Sequence, residues 1–420
     1  MDTNLTWFRD HLTNDLLPNW HRAAVSADGL FHTNLARDWG RSDMQTTTLV
    51  GQCRPIHNFA IGYQVTGLNK YRDAARNGAE WLLDHFTDSE HGGFFWSIRP
   101  DGTVEDNSKN AYAHAFVLLA LCHAFHATGD TAFLDAARRV RELLVTRFRD
   151  DYGGMRWRMT CDWTDTDERR SQNPMMHTFE ALLALAETSV PDAAEARRSP
   201  GTPSRAPVDA LEIAGFLFEE KQSVIPEFYD LDWRPLPSGS GIASQFRGRN
   251  SAGVPLQRWT LSIGHHFEWA FLLSRGVELG LPESLLVPAR ALLDTALAIG
   301  CGERAGSVQS YSDEKGRIVS DSLSWWEHAE ALRALMHWAL VRNEPQYLAP
   351  FSSILGFVKK RFLDPDHGGW FKSLELGGLP RDTSKGTGWK LDYHQVALCR
   401  EAIQLGTPPS NGLPRPFSTR

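Results

Sequence analysis

His91-Gly92-Gly93-Phe94-Phe95-Trp96 returns, with its glycine pair and apolar flank, as Tyr152-Gly153-Gly154-Met155-Arg156-Trp157 and as His367-Gly368-Gly369-Trp370-Phe371. Acidic residues precede all three. Looser versions stand at Gly29-Leu30-Phe31, Phe228-Tyr229-Asp230 and Gly306-Ser307-Val308. Positions near 30, 92, 153, 228, 306 and 368 are separated by about 62, 61, 75, 78 and 62 residues, a slow period that marks stacked supersecondary units.

Between these segments apolar residues recur at spacings of 3 and 4, which predicts helices over 71–86, 112–128, 133–148, 176–187, 210–219, 267–279, 286–298, 325–341, 347–362 and 393–405. Each span between repeats holds two helices, and a two-helix unit cannot bury its apolar faces alone. The expected fold is therefore all-α: six helical hairpins closed into a ring, with short β-turn or hairpin segments at one end. Residues 1–406 are expected to form this single barrel and 407–420, rich in Pro and Ser, a loose tail. Val190 to Pro207, with four prolines and no periodicity, reads as an insertion within one hairpin. Leu236 to Leu256, glycine-rich and carrying Arg247 and Arg249, reads as a long polar loop of the kind that rims a site.

The 420 residues are 42% apolar, enough for a large core. Lys and Arg number 44 against 51 Asp and Glu, so no basic surplus serves a nucleic acid or an anionic membrane. Five widely spaced cysteines without a C-x-x-C pair fit buried thiols in a reducing, cytoplasmic setting. The start, Met1-Asp2-Thr3-Asn4-Leu5, lacks the pattern of an export signal. The most apolar run, Ala113 to Phe125, carries His114 and His123 and is shorter than the roughly 20 residues of a membrane span, so it reads as a buried helix. Fifteen Trp supply flat faces suited to sugar stacking as well as to core packing.

Two segments open helices with the same pattern, His177-Thr178-Phe179-Glu180 and His265-His266-Phe267-Glu268. A spacing of three puts imidazole and carboxylate on one helical face, where the carboxylate can orient the ring for acid–base work. The plainer alternative is a solvated histidine with a first-turn Glu facing the helix dipole. H-x-x-E also suggests metal ligands, but no H-E-x-x-H, cysteine cluster or EF-hand loop accompanies it, so no metal is expected. Nucleotide loops are absent, and the one Gly-x-Ser-x-Gly-like stretch, Ser238-Gly239-Ser240-Gly241, follows no strand pattern. No cofactor is expected.

Thr48-Leu49-Val50-Gly51-Gln52-Cys53-Arg54-Pro55-Ile56-His57, Asn173-Pro174-Met175-Met176-His177-Thr178-Phe179-Glu180-Ala181, Gly264-His265-His266-Phe267-Glu268-Trp269, Trp325-Trp326-Glu327-His328-Ala329-Glu330-Ala331 and Trp389-Lys390-Leu391-Asp392-Tyr393-His394 occur in this order. Together they resemble the N-acylglucosamine 2-epimerase superfamily, and within it the aldose–ketose isomerase branch, from about residue 7 to 405. The resemblance implies an (α/α)6 barrel and metal-independent interconversion of free sugars through an enediol. It makes His265 and His394 the acid–base pair and Arg54, on the first inner helix, the contact to the carbonyl end of the sugar. It places Asn173, His177 and Tyr112 against substrate, Glu268 beside the first catalytic histidine, Trp325 in the pocket wall and Glu330 as a polar contact. Val50 stands where many relatives carry Trp, and Pro55 implies a kink or a helix start directly after Arg54.

The residue types suit such chemistry. The C2 proton of an open-chain aldose is acidified by the neighbouring carbonyl, so a neutral imidazole removes it and an imidazolium returns one near neutral pH. Arg54 offers a permanent cation to the enediolate oxygen. The expected reaction is mannose to fructose. Its rival is 2-epimerisation by the same histidines, with the proton returned to the opposite face of C2. A glycoside hydrolase on the same barrel, drawing on Glu268, Glu330 or Asp392, and a silent sugar-binding protein are the alternatives from other classes. A small sugar is the expected partner, and the chain is expected to be a monomer or homodimer.

Overall fold

The computed structural model describes residues 2–166, 170–188, 205–218, 222–237, 261–301 and 305–406. The insertion expected at Val190 to Pro207, the rim loop from Leu236 with Arg247 and Arg249, and the tail from Thr407 fall wholly or mostly outside them.

Among the described residues, helices alternate between an inner and an outer layer. The inner ones are α3 (Leu49–Thr66), α5 (Ala111–Thr128), α7 (Gln172–Glu187), α9 (Ile263–Glu278), α11 (Trp325–Leu340) and α13 (Tyr393–Gly406). Each packs on the next and α13 returns to α3, which closes the ring. Outside lie α4 (Asn69–Phe86), α6 (Thr131–Thr146), α8 (Ala206–Leu217), α10 (Leu286–Gly300) and α12 (Leu348–Arg361), each against the inner helix of its hairpin. The sixth outer element comes from the other end of the chain: α1 (Asp2–His11), a π-helical turn and α2 (Leu17–Ala24), with α1 packed on α13. The protein is an (α/α)6 barrel.

The helix α3 is missing from the periodic pattern for a physical reason. It is buried almost continuously from Leu49 to Gly62, so it has no polar face to give the pattern contrast. Pro55 neither starts nor ends it. The helix begins at Leu49, capped by the Thr48 hydroxyl, and carries Pro55 in its interior, so the expectation of a start there is corrected. The fully apolar α5 is 18 residues long, and by length and composition it is the one described helix able to cross a membrane. It is instead a core helix, 83% buried inside the barrel.

Short strands decorate one end. The strand before an inner helix pairs antiparallel with the strand after the next outer helix, five times: β1 (Thr47–Thr48) with β2 (Ser97–Ile98), β4 (Lys109–Asn110) with β5 (Arg158–Met159), β6 (Arg170–Ser171) with β7 (Phe228–Tyr229), β8 (Leu261–Ser262) with β9 (Tyr311–Ser312), and β10 (Ser322–Ser324) with β11 (Ser373–Glu375). β3 (Val104–Asp106) and β12 (Pro380–Asp382) extend the first and last of these. The last residue of each leading strand caps the following inner helix, and Thr48, Asn110, Ser171 and Ser262 do so through the side chain.

The glycine pairs mark where the chain leaves an outer helix. Gly93 and Gly369 have positive φ, and a Cβ on Gly93, Gly154 or Gly369 would meet the ring of Trp163, Trp233 or Trp39 at 2.8 Å or less. Each of these tryptophans itself takes a positive φ after an aspartate, and its indole N–H is spent on the clasped turn: Trp163 on His91 O, Trp233 on Asp150, Trp39 on His367 O. Beneath each turn a buried aspartate binds a basic side chain of a neighbouring segment: Asp88 with Lys109, Asp150 with Arg170 and Asp364 with Lys385. Trp39 on Gly369 therefore fastens the N-terminal part to the C-terminal part.

A second repeat holds the inner helices. The fourth residue of α3, α5, α9 and α11 is Gln52, His114, His266 and His328, and each accepts a backbone N–H from a turn segment: Phe31, Phe94, Ile225 and Val308. His266, beside the catalytic candidate His265, is thus a buried strut.

Candidate active site

The N-terminal ends of the inner helices carry the candidate residues. Positions two and six of an inner helix face the barrel axis on successive turns. Position six is Arg54 in α3, Phe116 in α5, His177 in α7, Glu268 in α9 and Glu330 in α11, while position two gives Tyr112, Asn173, Trp326 and His394. Six segments far apart in sequence are thereby brought to one cup.

His265 and His394 both lie against the Trp326 indole, with ring centroids 5.1 and 5.5 Å from it. Each imidazole is tied by Nδ1 to a carboxylate at 2.7 Å: His265 to Glu227, His394 to Glu330. A ring held by Nδ1 leaves Nε2 as its working nitrogen. His177 makes a third such pair, its Nδ1 3.2 Å from Glu180.

The partner of His265 departs from the expectation. Glu268 shares a helix face with it, yet makes no hydrogen bond to it; the carboxylate at His265 is Glu227, just before β7. Both Glu268 oxygens are buried without a hydrogen-bond partner among the described residues. Of the two H-x-x-E patterns, only His177 and Glu180 pair as their spacing suggests. No spacing signal points to Glu227, which is joined to the site by the β6–β7 pairing.

Electrostatics separate the carboxylates. Burial, followed by the charges of Glu330 and Glu180, pushes Glu268 far above the usual range, so it is a neutral acid able to donate. Burial raises Glu330 to about 7, against the pull of Arg333 and with a push from Glu180. His394 is pushed well below its ordinary value, first by burial and then by Arg54 and His177. Glu180 goes the other way: against its burial, the hydrogen bond and charge of His177 and the Arg333 guanidinium hold it at about 2. Ligand-type atoms of His177, Glu180 and Glu268, and of Glu268, Glu330 and His394, lie within 4.8 Å of one another, and both groups share Glu268.

Arg54 is buried with its fork fixed: Nη2 donates to the Tyr112 hydroxyl at 2.7 Å and Nη1 to the Trp389 carbonyl at 2.5 Å, while the plane lies 4.7 Å from the Phe116 centroid. The segment before His394 is locked from below. Lys390 donates to Asp392 at 2.7 Å, Asp392 also accepts the Trp20 indole N–H, and Asn58 donates to the Leu391 carbonyl. Among the described residues, the buried Asn173 Oδ1 and the buried Trp325 Nε1 have no hydrogen-bond partner, and it is Trp326 that touches both histidines. At the rim Trp389 is 48% exposed, near Trp96 and Tyr112.

Fold and site together define an (α/α)6 barrel with carboxylate-held imidazoles around a cup. Its membership is specific: the chain belongs to the N-acylglucosamine 2-epimerase (GlcNAc 2-epimerase) family, whose pattern matches residues 29–398. It is 26% identical over 393 residues to the D-mannose isomerase of Marinomonas mediterranea, covering 91% of this chain and 93% of that one. It is 24% identical over 416 residues to the cellobiose 2-epimerase of Bacteroides fragilis, covering 93% and 96%. The structure of the cellobiose 2-epimerase from Spirochaeta thermophila has the same fold, with a TM-score of 0.82, 24% identity and 96% of both chains covered. The protein is an enzyme of the carbohydrate epimerase and isomerase class.

Proposed function

We propose that this enzyme interconverts a mannose-type aldose and its ketose, mannose and fructose being the specific pair, through a cis-enediol. The observation that carries the reading is the placement of His265 and His394 against one indole, each held by Nδ1 at 2.7 Å from a carboxylate. One imidazole removes the C2 proton while Arg54, its fork preset by Tyr112 and the Trp389 carbonyl, stabilises the charge growing on the carbonyl oxygen. Protonation of the carbonyl oxygen gives the enediol, and delivery of a proton to C1 with loss of the O2 proton then gives the ketose. Glu268, neutral and unpartnered, donates to a substrate hydroxyl, and the free Asn173 Oδ1 accepts from another. The reading includes no metal and no cofactor. It takes the enzyme as a cytoplasmic monomer or homodimer; all five cysteines are free.

A second reading, 2-epimerisation of a disaccharide, is favoured by one feature. The half-exposed Trp389 beside Trp96 offers a stacking face at the mouth for a second sugar ring. A panel of mannose, fructose, glucose and cellobiose in deuterated water, followed by NMR, separates the two. Fructose formed from mannose, with deuterium exchange lowered about 10²–10⁴-fold in His265→Ala and in His394→Ala, is the expected result. An epimer as sole product transfers the assignment to the second reading, and turnover unaffected by both substitutions overturns each.

A further inference from the structure

We infer that Glu227 is a positioning residue that fixes the tautomer of His265 through a one-way chain of hydrogen bonds beginning at Trp269. An indole N–H can only donate. The Trp269 N–H reaches Gln172 Oε1 at 2.6 Å, which settles the orientation of that amide and turns its NH2 towards Glu227, 2.8 Å from Oε2. Ser171 donates to the other Glu227 oxygen at 3.2 Å. A carboxylate that accepts from both of these neighbours accepts from the third as well, so the 2.7 Å contact to His265 is Nδ1–H donating to Glu227. The Gln172 amide nitrogen, 2.9 Å from the same Nδ1, is then a second donor aimed at the shared oxygen. With Nδ1 protonated, the neutral ring presents a bare lone pair at Nε2, the form a general base needs.

The other dyad lacks this wiring. Glu330 has one oxygen on His394, and the other, without a hydrogen-bond partner among the described residues, lies 3.5 Å from the Arg333 guanidinium in an ion pair. His265 is therefore preset as an acceptor by donors to its carboxylate that the His394–Glu330 pair does not have. The contrast comes from placement: Glu227 is held against α7 by β6–β7 pairing, where Ser171 opposes Phe228, and it is 3% exposed. This inference rests on the acid–base role proposed above for His265.

The test reads the tautomer directly. In protein labelled with 15N-histidine, the His265 ring signals, identified by their loss in His265→Ala, are expected to show a protonated Nδ1 and an unprotonated Nε2. Glu227→Gln places an amide there, and the tautomer is expected to shift to Nε2–H. Turnover should drop about 10²–10⁴-fold in kcat with KM within a few-fold, the penalty seen when a buried carboxylate loses control of its imidazole. Glu227→Asp should restore part of kcat. Gln172→Met, which cuts the chain but leaves the Glu227–His265 contact in place, serves as the variant of milder structural cost and should lower kcat about 10-fold and raise the share of the Nε2–H tautomer. A wild-type His265 protonated at Nε2, or an unchanged tautomer and kcat in Glu227→Gln, overturns the inference. If no sugar is turned over, the proposed function fails while the NMR readout still decides the wiring.

Discussion

At the scale of single residues, the site depends on side chains whose geometry is set before substrate arrives. Arg54 is the clearest case, since both of its terminal nitrogens are committed and its plane rests on an aromatic ring. Lysine keeps the charge but cannot hold two fixed donors. Arg54→Lys is expected to lower kcat about 10²–10³-fold with the fold intact, measured by steady-state kinetics on the sugar identified above. Tyr112→Phe removes one anchor of the fork, and a loss near 10-fold is expected from the same assay. Most inward-facing residues could be read from the chain because they stand two or six places into inner helices. Glu227 could not, because its proximity to His265 arises from strand pairing between segments that flank a hairpin.

At the scale of elements, the glycine pairs that disclosed the repeat prove to be docking points for tryptophans from the next unit. The matching sequence signal was present, an Asp-Trp pair at 38–39, 162–163 and 232–233, although its meaning lies in contacts between units. Gly369→Ala places a Cβ 2.8 Å from the Trp39 ring at a φ of +63°. Both strain and overpacking act there, so a loss of about 2–4 kcal/mol is expected in urea unfolding. The same change at Gly377, whose Cβ has no neighbour within 4 Å, should cost less than about 1 kcal/mol. The helix α3 was hard to read for the opposite reason, since burial on all sides erases the 3.6-residue contrast on which such reading depends.

At the scale of the whole molecule, the histidine struts couple stability to acid. Burial holds His266 and His328 down at about 4, and His114 at about 3, against an ordinary value of 6.5. The unfolded chain takes up these protons near pH 6.5 and the folded one only near 4 or below, so the stability is complete above pH 6.5 and is lost as pH falls from there through 4. Each strut contributes roughly 3 kcal/mol to that loss. His328→Gln should retain the acceptor for Val308, as Gln52 does for Phe31, and shift the acid unfolding midpoint to lower pH in a circular dichroism titration. An unchanged midpoint would count against the struts as the acid-sensitive groups. Ring closure belongs to this scale as well. The N-terminal segment covers α13, and Arg37 reaches Asp364 through two hydrogen bonds of 2.8 Å.

The sequence by itself determined the number of hairpins and the helical class, which follow from periodicities that act within one helix or repeat along the chain. The family resemblance named the histidines and the arginine as candidates. The tertiary structure alone decided which carboxylate serves which imidazole, which tryptophan touches both rings, and which carboxyl is neutral. Those outcomes depend on distance and burial between segments remote in sequence, where packing sets the hydrogen-bond partner and desolvation sets the charge.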